Sequence, residues 1–307
     1  MPQHQSQSQG EAHSALGPRT SSLVTLRHAT SYRYDKPVVL GPQTIRLHPT
    51  PHCRTPISGY SLTVRPANHV LTWLTDPNGN ALARYVFPER TTEFRIDVAL
   101  TADLTPINPF GFIVDVAAST WPFAYDDESA RELAAYTFPE AAGPALRELL
   151  AANGGGPTDT VGFVADLNRL VHRSLGYEVR DAPGVQTPEH TLERAAGSCR
   201  DIAWLMVQAL RLAGFGARFV SGYLVSMAAE GEPTVGDSDD FSGLHAWAEV
   251  YLPGAGWIAL DPTAGTFCAE GYIPLAATAH YAAAAPLTGS VEPTGVTFGH
   301  ELRVGRG

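Results

Sequence analysis

Between Cys199 and Ala213 the chain sets Ile202, Leu205, Met206, Ala209, Leu210 and Leu212 at spacings that make a helix apolar on most of its sides. Such a helix must be covered nearly all round, so the fold has to supply layers about a central, rigid element. Its ends are marked. Ser198 reads as the N-cap, Asp201 three residues on answers it as an Asp form of the capping box, and Gly214 stops the helix. Cys199 is then the first helical residue. Unpaired N–H groups and the positive end of the helix dipole favour an anion there, which raises the thiolate fraction of a cysteine. A small buried apolar residue is the ordinary alternative for a free cysteine, and the residues downstream bear on the choice.

Leu244 to Leu252 alternates small or apolar residues with aromatic and polar ones and reads as a strand, with His245 at its start. Pro253-Gly254-Ala255-Gly256 reads as a turn, Trp257 to Leu260 as a second strand, and Asp261-Pro262-Thr263 as its end, because a proline cannot donate to a ladder. Cys199, His245 and Asp261 thus offer a nucleophile, a base and an orienting carboxylate. Pairing Leu252 with Trp257 across a four-residue turn would set Asp261 opposite Ala248, on the face away from His245. A bulge or a one-residue change of loop length restores the shared face. Glu249 and Asp201 compete for the orienting role, each with an ordinary alternative as a strand-face carboxylate or a helix cap.

The rest of the chain divides by composition. Met1 to Ser22 is rich in Gln, Ser and His, with neither a basic start nor an apolar segment, and reads as a disordered tail. From Leu23 to about 120, short strand patterns such as Leu62–Arg65, Arg84–Phe87 and Phe94–Leu100 alternate with turns, Asp76-Pro77-Asn78-Gly79 the strongest of them, and predict a small β-sandwich. Residues 121–285 then carry helices over about 126–137, 144–152 and 159–175, a short helix capped by Thr187 with Pro188 at its first position, the Cys199 helix, and an antiparallel sheet from about Ala217. The class is α+β. The Ala282-to-Ala285 run reads as a linker, and residues 286–307 as a C-terminal tail whose final strand, Val296-Thr297-Phe298 with Leu302-Arg303-Val304, returns to one of the sheets. Gly154-Gly155-Gly156-Pro157 lacks the Gly-Lys-Ser/Thr that a phosphate loop needs. The acidic stretch from Ala229 to Asp240 reads as an exposed loop, with a negatively charged rim over the thiol as its functional alternative.

Three blocks carry a resemblance: Gly197-Ser198-Cys199-Arg200-Asp201, then Gly216 to Leu224, then His245-Ala246-Trp247-Ala248-Glu249-Val250-Tyr251 through Trp257 to Asp261-Pro262-Thr263. A weaker fourth lies at His28 to Tyr34 with Pro37, Arg46-Leu47-His48-Pro49 and Asp76 to Asn80. On these the chain resembles the transglutaminase-like superfamily of cysteine enzymes, in particular bacterial members with an added N-terminal β-domain. The resemblance implies a papain/transglutaminase-like core behind the β-sandwich, with Cys199 as nucleophile, His245 as base and Asp261 as orienter. It also implies acyl transfer on peptide or protein amides through a thioester. Water as acceptor makes a peptidase or amidase, and a primary amine makes a transglutaminase. The second oxyanion donor is open between Tyr177 and Gln186, and Trp247 and Trp257 read as core aromatics or as walls of an acyl pocket. A non-catalytic protein-binding module on the same fold is the alternative.

Charge and composition exclude other classes. A formal net charge of −10 over 307 residues argues against nucleic acid. No apolar run is long enough to span a bilayer, and Met1 to Ser22 read as neither signal peptide nor membrane anchor. With only Cys53, Cys199 and Cys268, the expected compartment is the reducing cytoplasm. The histidines form no ligand spacing and no dinucleotide fingerprint is present, so neither metal nor cofactor is expected. Lys36 is the single lysine, which reads as genomic composition, or alternatively as avoidance of self-crosslinking.

Overall fold

A computed structural model describes residues 22–140, 142–180, 182–227 and 241–306. The tail reading of Met1 to Ser21 and the acidic-loop reading of Ala229 to Asp240 lie outside them. Ser22, at the edge of the expected tail, is tied to a sheet: its N–H donates to Asp103 Oδ1 (3.2 Å) and its carbonyl accepts from the Leu104 N–H (3.0 Å).

The N-terminal region is built from strands β1 (Leu23–Val38), β2 (Gln43–Ile45), β3 (Ile57–Arg65), β4 (Val70–Thr75), β5 (Ala81–Val86) and β6 (Thr91–Asp103). In β1 the residues Val24, Leu26, His28 and Thr30 are buried, and in β6 Phe94, Ile96, Val98, Leu100 and Ala102 are. This period of two gives each strand one apolar face. The strands form two four-stranded antiparallel sheets. One runs in the order Val296–Arg306, β1, β6, β3, so that the last of the described strands lies beside the first; the other runs Leu287–Thr288, β2, β5, β4. Leu26, Ile45, Tyr85, Phe94 and Ile96 from the two sheets share one core, and that core continues into Tyr223, Val225, Ile273 and Leu275 of the sheet that follows.

The helices are α1 (Asp127–Glu132), α2 (Ala134–Thr137), α3 (Pro144–Ala152), α4 (Thr160–Ser174), α5 (Pro188–Arg194) and α6 (Cys199–Leu212). The helix expected over 126–137 is two pieces, because Leu133 leaves helical geometry (φ −86°, ψ 1°) and turns its side chain into the core. Along α6, Ala203, Leu205, Met206, Val207, Ala209 and Leu210 have no exposed surface, as a helix apolar on most sides requires. Gly214 (φ +92°) follows its end.

A five-stranded antiparallel sheet completes the core, in the order Thr266–Phe267, Gly256–Asp261, Phe241–Leu252, Gly216–Ser226, Tyr272–Thr278. α6 packs along the Gly216–Ser226 and Phe241–Leu252 strands, and α4 covers it from another side through Phe163, Val164, Leu167 and Val171. Helices on an antiparallel sheet behind a β-rich N-terminal region make the molecule α+β. Among the described residues no helix is long and apolar enough to cross a membrane.

Candidate active site

The start of α6 is fixed by a buried carboxylate. Asp201 has no exposed surface, and its Oδ2 accepts from the Ser198 N–H (2.9 Å) and the Ser198 hydroxyl (2.7 Å). Arg180 donates to both oxygens, Nε to Oδ2 at 3.0 Å and Nη2 to Oδ1 at 2.7 Å, while the Gln186 N–H reaches Oδ1 at 2.7 Å. Burial alone would raise the Asp201 pKa. Arg180 and the N–H and O–H donors outweigh it and hold the carboxyl below its ordinary range. Asp201 is therefore a structural anchor, and Gln186 is engaged through its main chain at that anchor and through its side chain with Thr191 (3.1 Å). Arg180 was not singled out by the sequence; it lies in the Gly- and Pro-bearing segment before α5, with no local pattern to mark it.

Cys199 follows as the first residue of α6 and is partly buried. Its side chain interacts with two others, the imidazole of His245 and the hydroxyl of Tyr177. Tyr177 comes from a short parallel pairing of Gly176–Tyr177 with Ala196–Gly197, directly before the Cys199 helix, and is 58% exposed. Cys53 and Cys268 have no such surroundings. Burial pushes the Cys53 thiol up to about 11 and holds the Cys268 thiol well above its ordinary value.

The loop of the hairpin carrying His245 and Asp261 is one residue shorter than the four-residue reading. Leu252 pairs with Gly256 and Ala248 with Leu260, so Asp261 falls in the row of Trp247 and His245. His245 Nε2 lies 2.8 Å from Asp261 Oδ2, which leaves Nδ1 for the sulfur. Burial disfavours a charge on this ring. The hydrogen bond to Asp261 and the interaction with Cys199 more than offset it, and the imidazole pKa stands at about 9. Asp261 in turn accepts from the Thr263 hydroxyl (2.6 Å) and N–H (2.8 Å) at Oδ1, and from the Tyr272 hydroxyl (2.8 Å) at Oδ2. Burial opposes its charge too, and these donors with His245 keep its pKa low.

Glu249, the other carboxylate on this strand, is taken up elsewhere. It pairs with Arg218 (2.6 Å) and His52 (3.3 Å), and Arg218 lies 4.2 Å from the centre of the Trp257 ring. Trp247 is buried against Tyr272, their ring centres 5.4 Å apart, and is a core residue. The arrangement is thus a cysteine sulfur at a helix N-terminus, a charged imidazole interacting with it, and a fixed carboxylate behind the imidazole. This can generate a sulfur nucleophile and deliver a proton beside it.

Comparison with known proteins points the same way. Residues 24–103 match the family described as the bacterial transglutaminase-like N-terminal region, and residues 148–262 match the transglutaminase-like superfamily. An uncharacterized protein of Mycobacterium tuberculosis is 26% identical over 272 residues, 86% of each chain. One of Mycobacterium leprae is 26% identical over 279 residues, 88% of this chain and 93% of that one. Among solved structures, a Cytophaga hutchinsonii protein described as a candidate cysteine protease superimposes with a TM-score of 0.66 at 19% identity, covering 94% of this chain and 91% of that one. That likeness is one of fold.

Proposed function

Because the chain belongs to the transglutaminase-like superfamily, we propose that it is a cysteine-dependent acyl-transfer enzyme acting on the amide bonds of peptides or proteins. With its proton held on His245, Cys199 Sγ attacks the amide carbonyl carbon as the thiolate and forms a C–S bond, and the displaced electron pair rests on the carbonyl oxygen. The Cys199 N–H, at the first turn of α6 where no intrahelical acceptor is available, is one donor to that oxygen, and the Tyr177 hydroxyl is the second. His245 then passes its proton to the departing nitrogen as the C–N bond breaks, leaving a thioester on the enzyme. An acceptor gives its proton back to His245, attacks the thioester and releases Cys199 as the thiolate. Water is the first acceptor and completes an amide hydrolysis; a primary amine in the same place completes a crosslink. Three free thiols suit a reducing compartment such as the cytoplasm.

The observation that carries this reading is the coupling of the Cys199 side chain to the His245 imidazole, which Asp261 meets from behind at 2.8 Å. A glutamine-peptide library incubated with and without a primary amine, with ammonia release and amine incorporation followed for the wild type and Cys199→Ala, tests it. Turnover that disappears in Cys199→Ala is expected. Equal turnover by both proteins would refute it.

A further inference from the structure

The strand Tyr272–Thr278 stands at the outer edge of the five-stranded sheet, and loops of the N-terminal region hold that edge. Asn80 is 2% exposed; its Oδ1 accepts from the Ala277 N–H (2.9 Å) and its Nδ2 donates to the Ala277 carbonyl (3.0 Å), so a side-chain amide stands in for a neighbouring strand. The turn that presents Asn80 is set by Asp76, whose Oδ1 accepts from the N–H groups of Asn78 (2.8 Å) and Asn80 (2.9 Å). At the other end of the strand, the Thr50 N–H donates to the Pro274 carbonyl (2.8 Å). Thr55 Oγ1 accepts from the Gly271 N–H (3.2 Å) and donates to the Tyr272 carbonyl (3.4 Å). Gly271 itself has φ +82° and passes so close to Val225 that a Cβ would lie 2.1 Å from its carbonyl oxygen. The main chain at Tyr272 is therefore fixed from both sides.

From this strand Tyr272 reaches into the site. Its hydroxyl donates to Asp261 Oδ2 (2.8 Å), the oxygen that faces His245 Nε2, and its ring packs edge-on against Trp247. The other oxygen, Oδ1, is held by Thr263. With one oxygen tied by Thr263 and the other met by Tyr272, the carboxylate cannot turn about its Cβ–Cγ bond without losing donors in a buried place. Burial keeps the Tyr272 hydroxyl protonated far above neutrality, so it remains a donor.

We propose that Tyr272 is a positioning residue for the His245–Asp261 pair, and that the N-terminal β-region acts on the reaction by holding, through Asn80 and Thr55, the strand from which Tyr272 reaches Asp261. The proposal rests on the cysteine chemistry proposed above. It gives the N-terminal sheets a role in the rate of the reaction, separate from substrate capture.

The test uses the full chain and reads Cys199 directly: iodoacetamide alkylation followed peptide by peptide across pH, with kcat and KM on an amide substrate beside it. Tyr272→Phe keeps the ring and removes the hydroxyl. It is expected to lower both the alkylation rate at Cys199 and kcat about tenfold, with KM within about twofold and a shifted pH profile. Asn80→Ala is expected to lower the same two rates about threefold. Combined with Tyr272→Phe it should add nothing, since both act through one contact. Should Asn80→Ala fail to fold, Thr55→Val takes its place. Wild-type alkylation and kcat in Tyr272→Phe, or fully additive losses in the double variant, would overturn the proposal. His245→Ala separates the two levels. If it slows alkylation while Tyr272→Phe does not, the positioning role alone is refuted; if it does not slow alkylation, the cysteine reading falls as well.

Discussion

Gly222 lies directly across the sheet from His245, and a Cβ added to it would come within 2.5 Å of the Trp247 ring and 2.3 Å of the Ile273 carbonyl oxygen. Trp247 stands two residues along from His245 with ring centres 6.3 Å apart, so what displaces the indole also disturbs the imidazole. Gly222→Ala must move main chain at Ile273, which a core of this density resists. A destabilisation of about 1–3 kcal/mol is expected from that overpacking. Urea unfolding measures it, and a loss of Cys199 alkylation rate in the folded variant reports the disturbed imidazole.

Stability should depend on pH through His245. Its pKa is about 9 in the folded chain against 6.5 ordinarily, so between these values the folded state binds more protons than the unfolded one. The stabilisation from this ring is complete below about 6.5 and is lost as pH rises through about 9. The urea midpoint of the wild type should therefore fall between pH 6.5 and 9.5. His245→Ala should flatten that part of the profile, and an unchanged slope would count against the charged ring.

The α6 helix, its cap and the two strands bearing His245 and Asp261 were legible because capping and alternation are local. Ser198 and Asp201 sit three residues apart, and strand faces follow from parity. The face of Asp261 was not, since it turned on whether the Pro253–Gly256 loop had three residues or four, and the turn residues permit both. Arg180 and Tyr272 left no local trace at all. They meet their carboxylates 21 and 11 residues away along the chain, through contacts that only the packed fold creates. The same holds for Glu249, whose pairing with Arg218 spans 31 residues and takes it out of the competition with Asp261.

Arg180 should matter as much to folding as to reactivity. Removing it leaves the Asp201 carboxylate buried with its neutral donors only, and breaking a buried pair from one side costs about 3–5 kcal/mol. Arg180→Ala is expected near the lower end, because Ser198 and Gln186 still donate. In the wild type the depressed Asp201 pKa gives stability that is present above the ordinary carboxylate range and lost as pH falls. The variant should lose part of that acid sensitivity. Urea midpoints at neutral and acid pH for both proteins check the two statements together.

Tyr177 offers the cleanest separation of chemistry from folding. Its ring is more than half exposed and its hydroxyl interacts with the Cys199 side chain, so Tyr177→Phe removes one polar atom without opening a cavity. As a donor to the developing oxyanion it acts only once the carbonyl oxygen carries charge, and loss of such a donor costs on the order of 100-fold in kcat. KM and the urea midpoint should stay near wild type, because neither ground-state binding nor packing depends on that hydroxyl. Were it only a partner of the resting sulfur, the alkylation rate of Cys199 would change and kcat would follow it in proportion. A kcat loss well beyond the change in alkylation rate is the expected outcome, and parallel changes in the two would remove Tyr177 from the oxyanion site.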